Sequence, residues 1–73
     1  MRRHEMAAIR RAAQNRWDTP PQVRKRSVEA VQAVLDNPRS TNSMKRSARL
    51  AMAAMQKAGW VELVRTSGKH FAR

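Results

Sequence analysis

The positions of proline and glycine most strongly limit how this chain of 73 residues can fold. Pro20 and Pro21 predict the start of a helix, because proline fits the first helical turn but not the interior. Asn37 followed by Pro38 predicts the end of that helix, since the residue before proline avoids helical geometry. Gly59 predicts the end of a further helix, because glycine is common just past a helix C-terminus. Together these residues predict three helices, at about residues 2–16, 20–36 and 43–58.

Polar residues near the predicted helix starts are suited to capping. Thr19 precedes the two prolines and can act as an N-cap, with Gln22 three residues later as its capping-box partner. Asn42 or Ser43 can cap the third helix, because a short side-chain oxygen accepts a hydrogen bond from a free backbone N–H. We therefore expect the second helix to be capped by Thr19 and the third by Asn42 or Ser43.

Apolar residues recur at helical spacing in all three segments, which predicts one buried stripe on each helix. The stripes comprise Met6, Ile9, Ala13 and Trp17, then Val28, Val31, Val34 and Leu35, then Met44, Ala48, Ala51, Met52, Met55 and Ala58. A chain of this size buries only about 60% of the surface that its unfolded form exposes, so the core must be small. We expect both tryptophans, Trp17 and Trp60, to belong to this core rather than to stack on bases.

The residues after Gly59 differ in composition from the helical segments. β-Branched and aromatic residues appear, and Ser67-Gly68 fits a two-residue hairpin turn. We predict a β-hairpin at about residues 61–72, packed on the helices because a lone hairpin is marginal in water. A frayed helical extension with a disordered tail is the alternative. The predicted fold is therefore mainly α: one three-helix, helix-turn-helix-like domain over residues 1–73 with a C-terminal hairpin as a wing.

The chain carries a formal net charge of +11 at pH 7, from sixteen Lys and Arg against five Asp and Glu. Like charges repel in a folded chain, and this excess attracts phosphate backbones, acidic proteins or anionic membranes. The longest uncharged apolar run, residues 50–55, is too short to span a membrane, and the basic N-terminus lacks the apolar core of a signal peptide. We therefore expect a cytoplasmic, nucleic-acid-associated protein with no membrane partner.

The sequence contains no arrangement of residues that indicates catalysis. His4-Glu5 matches the start of a zinc-protease helix motif, but position 8 is alanine instead of the second histidine. The five acidic residues are scattered, and Ser67-Gly68-Lys69 lacks the first glycine and the length of a phosphate-binding loop. We expect no enzymatic activity, no metal, no cofactor and no small-molecule substrate.

The third predicted helix indicates nucleic-acid binding most directly. It carries four cations and no acidic residue, whereas a merely solvated helix face usually mixes both signs. A helix, a connection and a basic helix follow the order of a helix-turn-helix, although the connection is longer than the usual turn of about three or four residues. In that motif the N-terminal half of the last helix faces the major groove. The predicted binding residues are Arg24, Lys25, Arg26, Arg39, Asn42, Ser43, Lys45, Arg46, Arg49, Arg65 and Lys69.

Duplex DNA is the favoured partner among several. Readers of single strands use aromatic platforms, and this chain has only one Phe and two Trp. Duplex RNA stays open as a partner. A different class also stays open, a non-enzymatic adaptor that binds an acidic protein such as a capsid or packaging component. Because specific sites usually need two reading helices, we also expect a homo-oligomer.

The segment RWDTPPQVRKRSVEAVQAVLDNPRS, followed by SMKRSARLAMAAM, resembles small helix-turn-helix proteins of phage and prophage regions, including small subunits of DNA-packaging terminases. The similar features are an RW before a TP helix start, a DNP stop, a serine-rich connector and an alanine-rich third helix. The resemblance implies DNA binding in packaging or transcription regulation. Terminase small subunits form rings through further helices, and the residues after Gly59 depart from that pattern. The ending AGWVELVRTSGKHFAR resembles winged-helix regulators instead.

Overall fold

The computed structural model describes residues 1–61, and over these residues it consists of three helices with irregular connections. The helices are α1 (Arg3–Gln14), α2 (Pro21–Asp36) and α3 (Asn42–Lys57). The predicted mainly α, three-helix fold is confirmed. α3 packs against both α1 and α2 and is therefore the central helix. The predicted hairpin at residues 61–72 lies outside the described residues apart from Val61, which is helical.

The core is built from small and medium-sized apolar side chains of all three helices. Met6, Val31 and Met55 are its largest fully buried side chains. Alanines on α3 let the neighbouring helices approach closely, and methionine fills the irregular space between them. The buried residues are Met6, Ala13, Val28, Val31, Val34, Ala48, Ala51, Met52, Ala54, Met55 and Trp60. The predicted stripes therefore supply the core, with Ala54 as an addition and Trp17 as an exception. Four further stripe residues are only partly buried against it: Ile9, Leu35, Met44 and Ala58.

Trp17 is 57% exposed, so the prediction that it belongs to the core is wrong. α1 ends at Gln14, and Arg16 adopts a left-handed backbone with φ of 54°. The Trp17 N–H then donates to the Ala12 carbonyl at 3.1 Å, the hydrogen bond that closes a Schellman motif. This turn carries Trp17 off the helical stripe. Trp60 is only 5% exposed, which confirms the prediction for the second tryptophan.

The start of α2 differs from the predicted capping box. Pro20 is the N-cap residue and makes no side-chain capping hydrogen bond. The Thr19 hydroxyl instead donates to the Trp17 carbonyl at 3.2 Å. The predicted N-cap at Thr19 with Gln22 as its partner is therefore wrong, because α2 begins at Pro21 and Thr19 lies one residue before the N-cap position.

The connection from α2 to α3 is fixed by hydrogen bonds from its own polar side chains. Asn37 leaves the helix with extended backbone angles before Pro38, as predicted, and its Oδ1 accepts from the Arg39 N–H at 2.9 Å. The Ser40 hydroxyl donates to the Val34 carbonyl at 2.8 Å, in a partly buried position. The connection is therefore anchored to the last turn of α2.

Thr41 caps α3, one residue before the predicted cap at Asn42 or Ser43. Its Oγ1 accepts a hydrogen bond from the Met44 N–H at 3.2 Å. Asn42 and Ser43 lie inside the first helical turn, so their prediction as caps is wrong. Three adjacent residues carry a short side-chain oxygen, and spacing alone does not decide which one caps. At the other end of α3, Gly59 has φ of 85° and lies just past the helix, as predicted.

Replacing Thr41 with Ala is expected to lower the free energy of unfolding by about 1 kcal/mol, because the Met44 N–H loses its acceptor. Chemical denaturation of the wild type and the variant measures this difference. Asn42→Ala is the matched control and should change the free energy of unfolding by less than about 0.5 kcal/mol, as for an ordinary exposed position. Equal losses in the two variants would contradict Thr41 as the N-cap.

Candidate nucleic-acid interface

α3 separates its apolar and cationic residues onto opposite sides. Its buried residues pack on α1 and α2, and the residues on the opposite side are exposed. Three cations and no acid lie on that exposed side, which we call the α3 outer face. The α3 outer face comprises Asn42, Arg46, Arg49, Leu50, Ala53 and Lys57.

A groove of about 570 Å³ runs between α1 and α3 beside this face. It is lined by Arg10, Ala13, Gln14, Arg16, Leu50, Ala53, Ala54, Lys57 and Ala58, and we call it the α1–α3 groove. The cations Arg10, Arg16 and Lys57 have no acidic residue beside them among these lining residues. Leu50, Ala53 and Lys57 also belong to the α3 outer face. The groove and the face therefore form one continuous cationic surface.

The first turn of α1 adds a further cation next to the start of α3. Arg3 Nη1 donates to Ser43 Oγ at 3.0 Å, which links two residues 40 positions apart in the sequence. A small depression of about 70 Å³ lies beside this link, lined by Arg3, Met6, Ala7, Arg10 and Ser47. Arg3 and Arg10 therefore extend the cationic surface along α1.

The other side of α3 has a different charge. A groove of about 450 Å³ between α2 and α3 includes Glu29 and Asp36 in its lining. Gln32 Nε2 donates to Asp36 Oδ1 at 3.0 Å within this lining. Carboxylates repel phosphate, so the α1 side of α3 suits a nucleic acid and the α2 side does not.

Four of the predicted binding residues lie at or near the α3 outer face. Asn42, Arg46 and Arg49 belong to it, and Ser43 is exposed beside it with its hydroxyl bound to Arg3. Lys45 does not belong to the α3 outer face. It is half-buried on the side of α3 that faces α2. The structure thus brings together the N-terminal half of α3 largely as the sequence predicts.

The other predicted residues within the described part of the chain lie elsewhere. Lys25 and Arg26 are exposed on the side of α2 opposite its buried valines, so they point away from the α3 outer face. Arg24 is half-buried on the core side of α2, and its Nε is buried without a hydrogen-bond partner. Arg39 is exposed in the connection between α2 and α3. The last two, Arg65 and Lys69, lie outside the described residues.

Three cations of the α1–α3 groove were not among the predicted binding residues. Arg10, Arg16 and Lys57 line the groove because α1 packs on α3. The sequence shows that they are basic, but their position beside the outer face depends on which helices pack together. Arg10 Nε is buried without a hydrogen-bond partner, so this guanidinium has an unused donor.

Arg16 holds its cation at the groove with an unfavourable backbone conformation. Its φ of 54° lies in the left-handed region, which is unfavourable by about 1–2 kcal/mol for a residue with a Cβ atom. Glycine is therefore the usual residue with this conformation at the end of a helix. Gly59 occupies the corresponding position after α3, with φ of 85°. Such strained residues are concentrated at functional sites, which favours a role for the Arg16 side chain.

Arg16→Gly is expected to be more stable than Arg16→Ala by about 1 kcal/mol in the free energy of unfolding. Both substitutions remove the cation, but only glycine relieves the left-handed strain that a Cβ atom causes. Chemical denaturation of the two variants side by side measures the difference. Equal stabilities would contradict the left-handed geometry at position 16.

Comparison with protein-family models, curated proteins and solved structures finds no match for this chain. Within residues 1–61, no helix has the length and apolar character needed to cross a membrane. The same residues contain no group of three or more His, Cys, Asp or Glu arranged to hold a metal ion.

Proposed function

We propose that this protein binds nucleic acid, with duplex DNA as the favoured form, through the α3 outer face and the α1–α3 groove. The observation that supports this most strongly is the sorting of charge around α3. Arg46, Arg49 and Lys57 lie on its exposed side, next to Arg10 and Arg16, and no acid interrupts them among the lining residues. A surface of this kind neutralises phosphates and releases their condensed counterions.

Two features of α3 favour binding in a DNA major groove. An α-helix fits the major groove of B-DNA, whereas the major groove of duplex RNA is too narrow for it. Asn42 and Arg46 lie in the N-terminal half of α3, the part that reaches base edges in helix-turn-helix proteins. Asparagine can pair with adenine and arginine with guanine, so these two side chains would supply limited base reading.

The remaining cations would position the protein without reading sequence. Arginine binds phosphate through two parallel N–H groups, which suits Arg10 and Arg16 at the edge of the groove. Arg3, held against Ser43, would contact phosphates near the start of α3. The affinity would then come mostly from phosphate contacts and would depend strongly on salt.

The resemblance to small phage helix-turn-helix proteins supports DNA packaging or transcription regulation, in the cytoplasm, as the setting of this proposal. A homo-oligomer would supply the second reading helix that a specific site usually needs. The biological setting and the oligomeric state extend the proposed binding function, and they can be tested once nucleic-acid binding has been measured.

The test is the affinity for random duplex DNA, duplex RNA and an acidic protein across a salt series from about 50 to 300 mM. For duplex DNA we expect a slope of log affinity against log salt of roughly −4 to −7, which corresponds to about five to eight neutralised phosphates. Tighter binding to duplex RNA would redirect the proposal to RNA. A flat slope, or equal affinity for the acidic protein, would contradict nucleic-acid binding.

A further inference from the structure

Trp17 is the largest exposed apolar side chain among the described residues. The residue is 57% exposed, while its backbone is held by two hydrogen bonds, from its N–H to the Ala12 carbonyl and from the Thr19 hydroxyl to its own carbonyl. The residue before it is Arg16, which lines the groove. An indole group is thus presented to solvent from an ordered turn, one residue after a cation of the groove lining.

The groove itself combines features that suit one nucleotide or a short single strand. Its volume of about 570 Å³ lies in the range of about 300–1,000 Å³ that is typical of sites for small organic ligands. Its lining includes the cations Arg10, Arg16 and Lys57 together with four alanines. Cations that follow a backbone, together with an aromatic ring for the base, are the two elements by which proteins bind unpaired nucleotides.

We propose that Trp17 stacks on an unpaired nucleobase whose phosphates lie in the α1–α3 groove, so that the protein prefers duplex DNA with a single-stranded extension. Bases inside a duplex are already stacked on both faces, so the ring can reach only an unpaired or displaced base. The α3 outer face would hold the duplex, and the strand would continue past Lys57 into the groove. This inference rests on the proposed function and adds a preferred form of DNA to it.

The two tryptophans make stacking directly measurable. Trp17 is exposed and Trp60 is 5% exposed, so only Trp17 emission should be quenched when a base stacks on the protein. The full chain is titrated with a blunt duplex and with the same duplex carrying four unpaired thymidines at its 3′ or its 5′ end. Affinity and tryptophan fluorescence are recorded together for the wild type, Trp17→Ala, Trp17→Phe and Val23→Ala.

We expect the wild type to bind one of the extended duplexes about tenfold more tightly than the blunt one, in line with base–aromatic stacking. Trp17→Ala should bring the ratio of the affinities for the extended and the blunt duplex close to one, and Trp17→Phe should retain part of the preference. Val23→Ala, at an exposed apolar residue on α2, should keep the full ratio. Trp60 emission in the Trp17→Phe variant reports that the core is intact.

Three results would overturn the inference while leaving duplex binding in place. They are a ratio near one in the wild type, a ratio that persists in Trp17→Ala, and quenching that persists in Trp17→Phe. Self-association that Trp17→Ala abolishes, without any effect of the extension, would assign the exposed ring to a second copy of the chain. Absence of salt-dependent binding to the blunt and extended duplexes alike would overturn the proposed function as well as the inference.

Discussion

Replacing Arg46, Arg49 and Lys57 together with glutamine is expected to lower the affinity for duplex DNA by roughly two to three orders of magnitude at about 0.1 M salt. Each lost phosphate contact removes about 0.9 from the magnitude of the salt slope, so three contacts remove about 2.7. Glutamine is uncharged and has nearly the same helix propensity as arginine and lysine, so α3 should form as before. Affinity across a salt series and the far-ultraviolet circular dichroism of the variant measure both effects.

A second triple variant provides the control, because it changes the net charge by the same amount on other faces. Arg11, Lys25 and Arg26 are exposed on the sides of α1 and α2 opposite their buried residues. Their replacement with glutamine lowers only the overall field of the protein, so the salt slope should change by less than about one. Equal losses in the two triple variants would mean that net charge, rather than the α3 outer face, determines binding.

Met55→Ala is expected to produce the largest loss of stability, about 2–5 kcal/mol in the free energy of unfolding. Met55 is fully buried on α3, between the two helices that pack there, and its removal leaves a cavity in the core. A domain of this length typically has about 4–11 kcal/mol of stability in total. The variant should therefore unfold at a much lower denaturant concentration, or be partly unfolded in buffer.

Leu50→Ala is the matched control for this loss. Leu50 lies on the same helix and is 49% exposed, so its truncation should cost less than about 1 kcal/mol. Urea denaturation followed by Trp60 emission, in a Trp17→Phe background, measures both variants. Similar losses at the two positions would contradict the burial of Met55.

The helices could be predicted because proline, glycine and apolar spacing act locally. Pro21, Asn37 and Gly59 mark real boundaries, and the apolar stripes of α2 and α3 are buried. The predicted cap of α3 is wrong because Thr41 and the two residues after it carry equivalent side-chain oxygens, and tertiary geometry selects Thr41. The sequence does not indicate the turn at Arg16, since a left-handed conformation is expected of glycine and this residue is arginine. The exposure of Trp17 follows from that same turn.

The candidate interface could be predicted only in part for a similar reason. The position of Arg46 and Arg49 on the exposed side of α3 could be predicted from the periodicity of that helix alone. By contrast, the groove cations Arg10 and Arg16 come from α1, and their position beside α3 depends on how the two helices pack. The acids of α2 are sorted to the other side of α3 by the same packing. The net charge of the sequence therefore predicts a class of partner, whereas the packing of the helices determines which cations lie together on one surface.

The most direct test of nucleic-acid binding at this surface is a nuclear magnetic resonance titration of the ¹⁵N-labelled chain with a short random-sequence DNA duplex. We expect the largest shift changes at Arg46, Arg49 and Lys57, with smaller ones at Arg10 and Arg16 and almost none at Lys25 and Arg26. The changes should diminish as salt is raised, because phosphate contacts dominate the affinity. Changes centred on α2, or an unchanged spectrum at low salt, would contradict the assignment of the α3 outer face as the nucleic-acid interface.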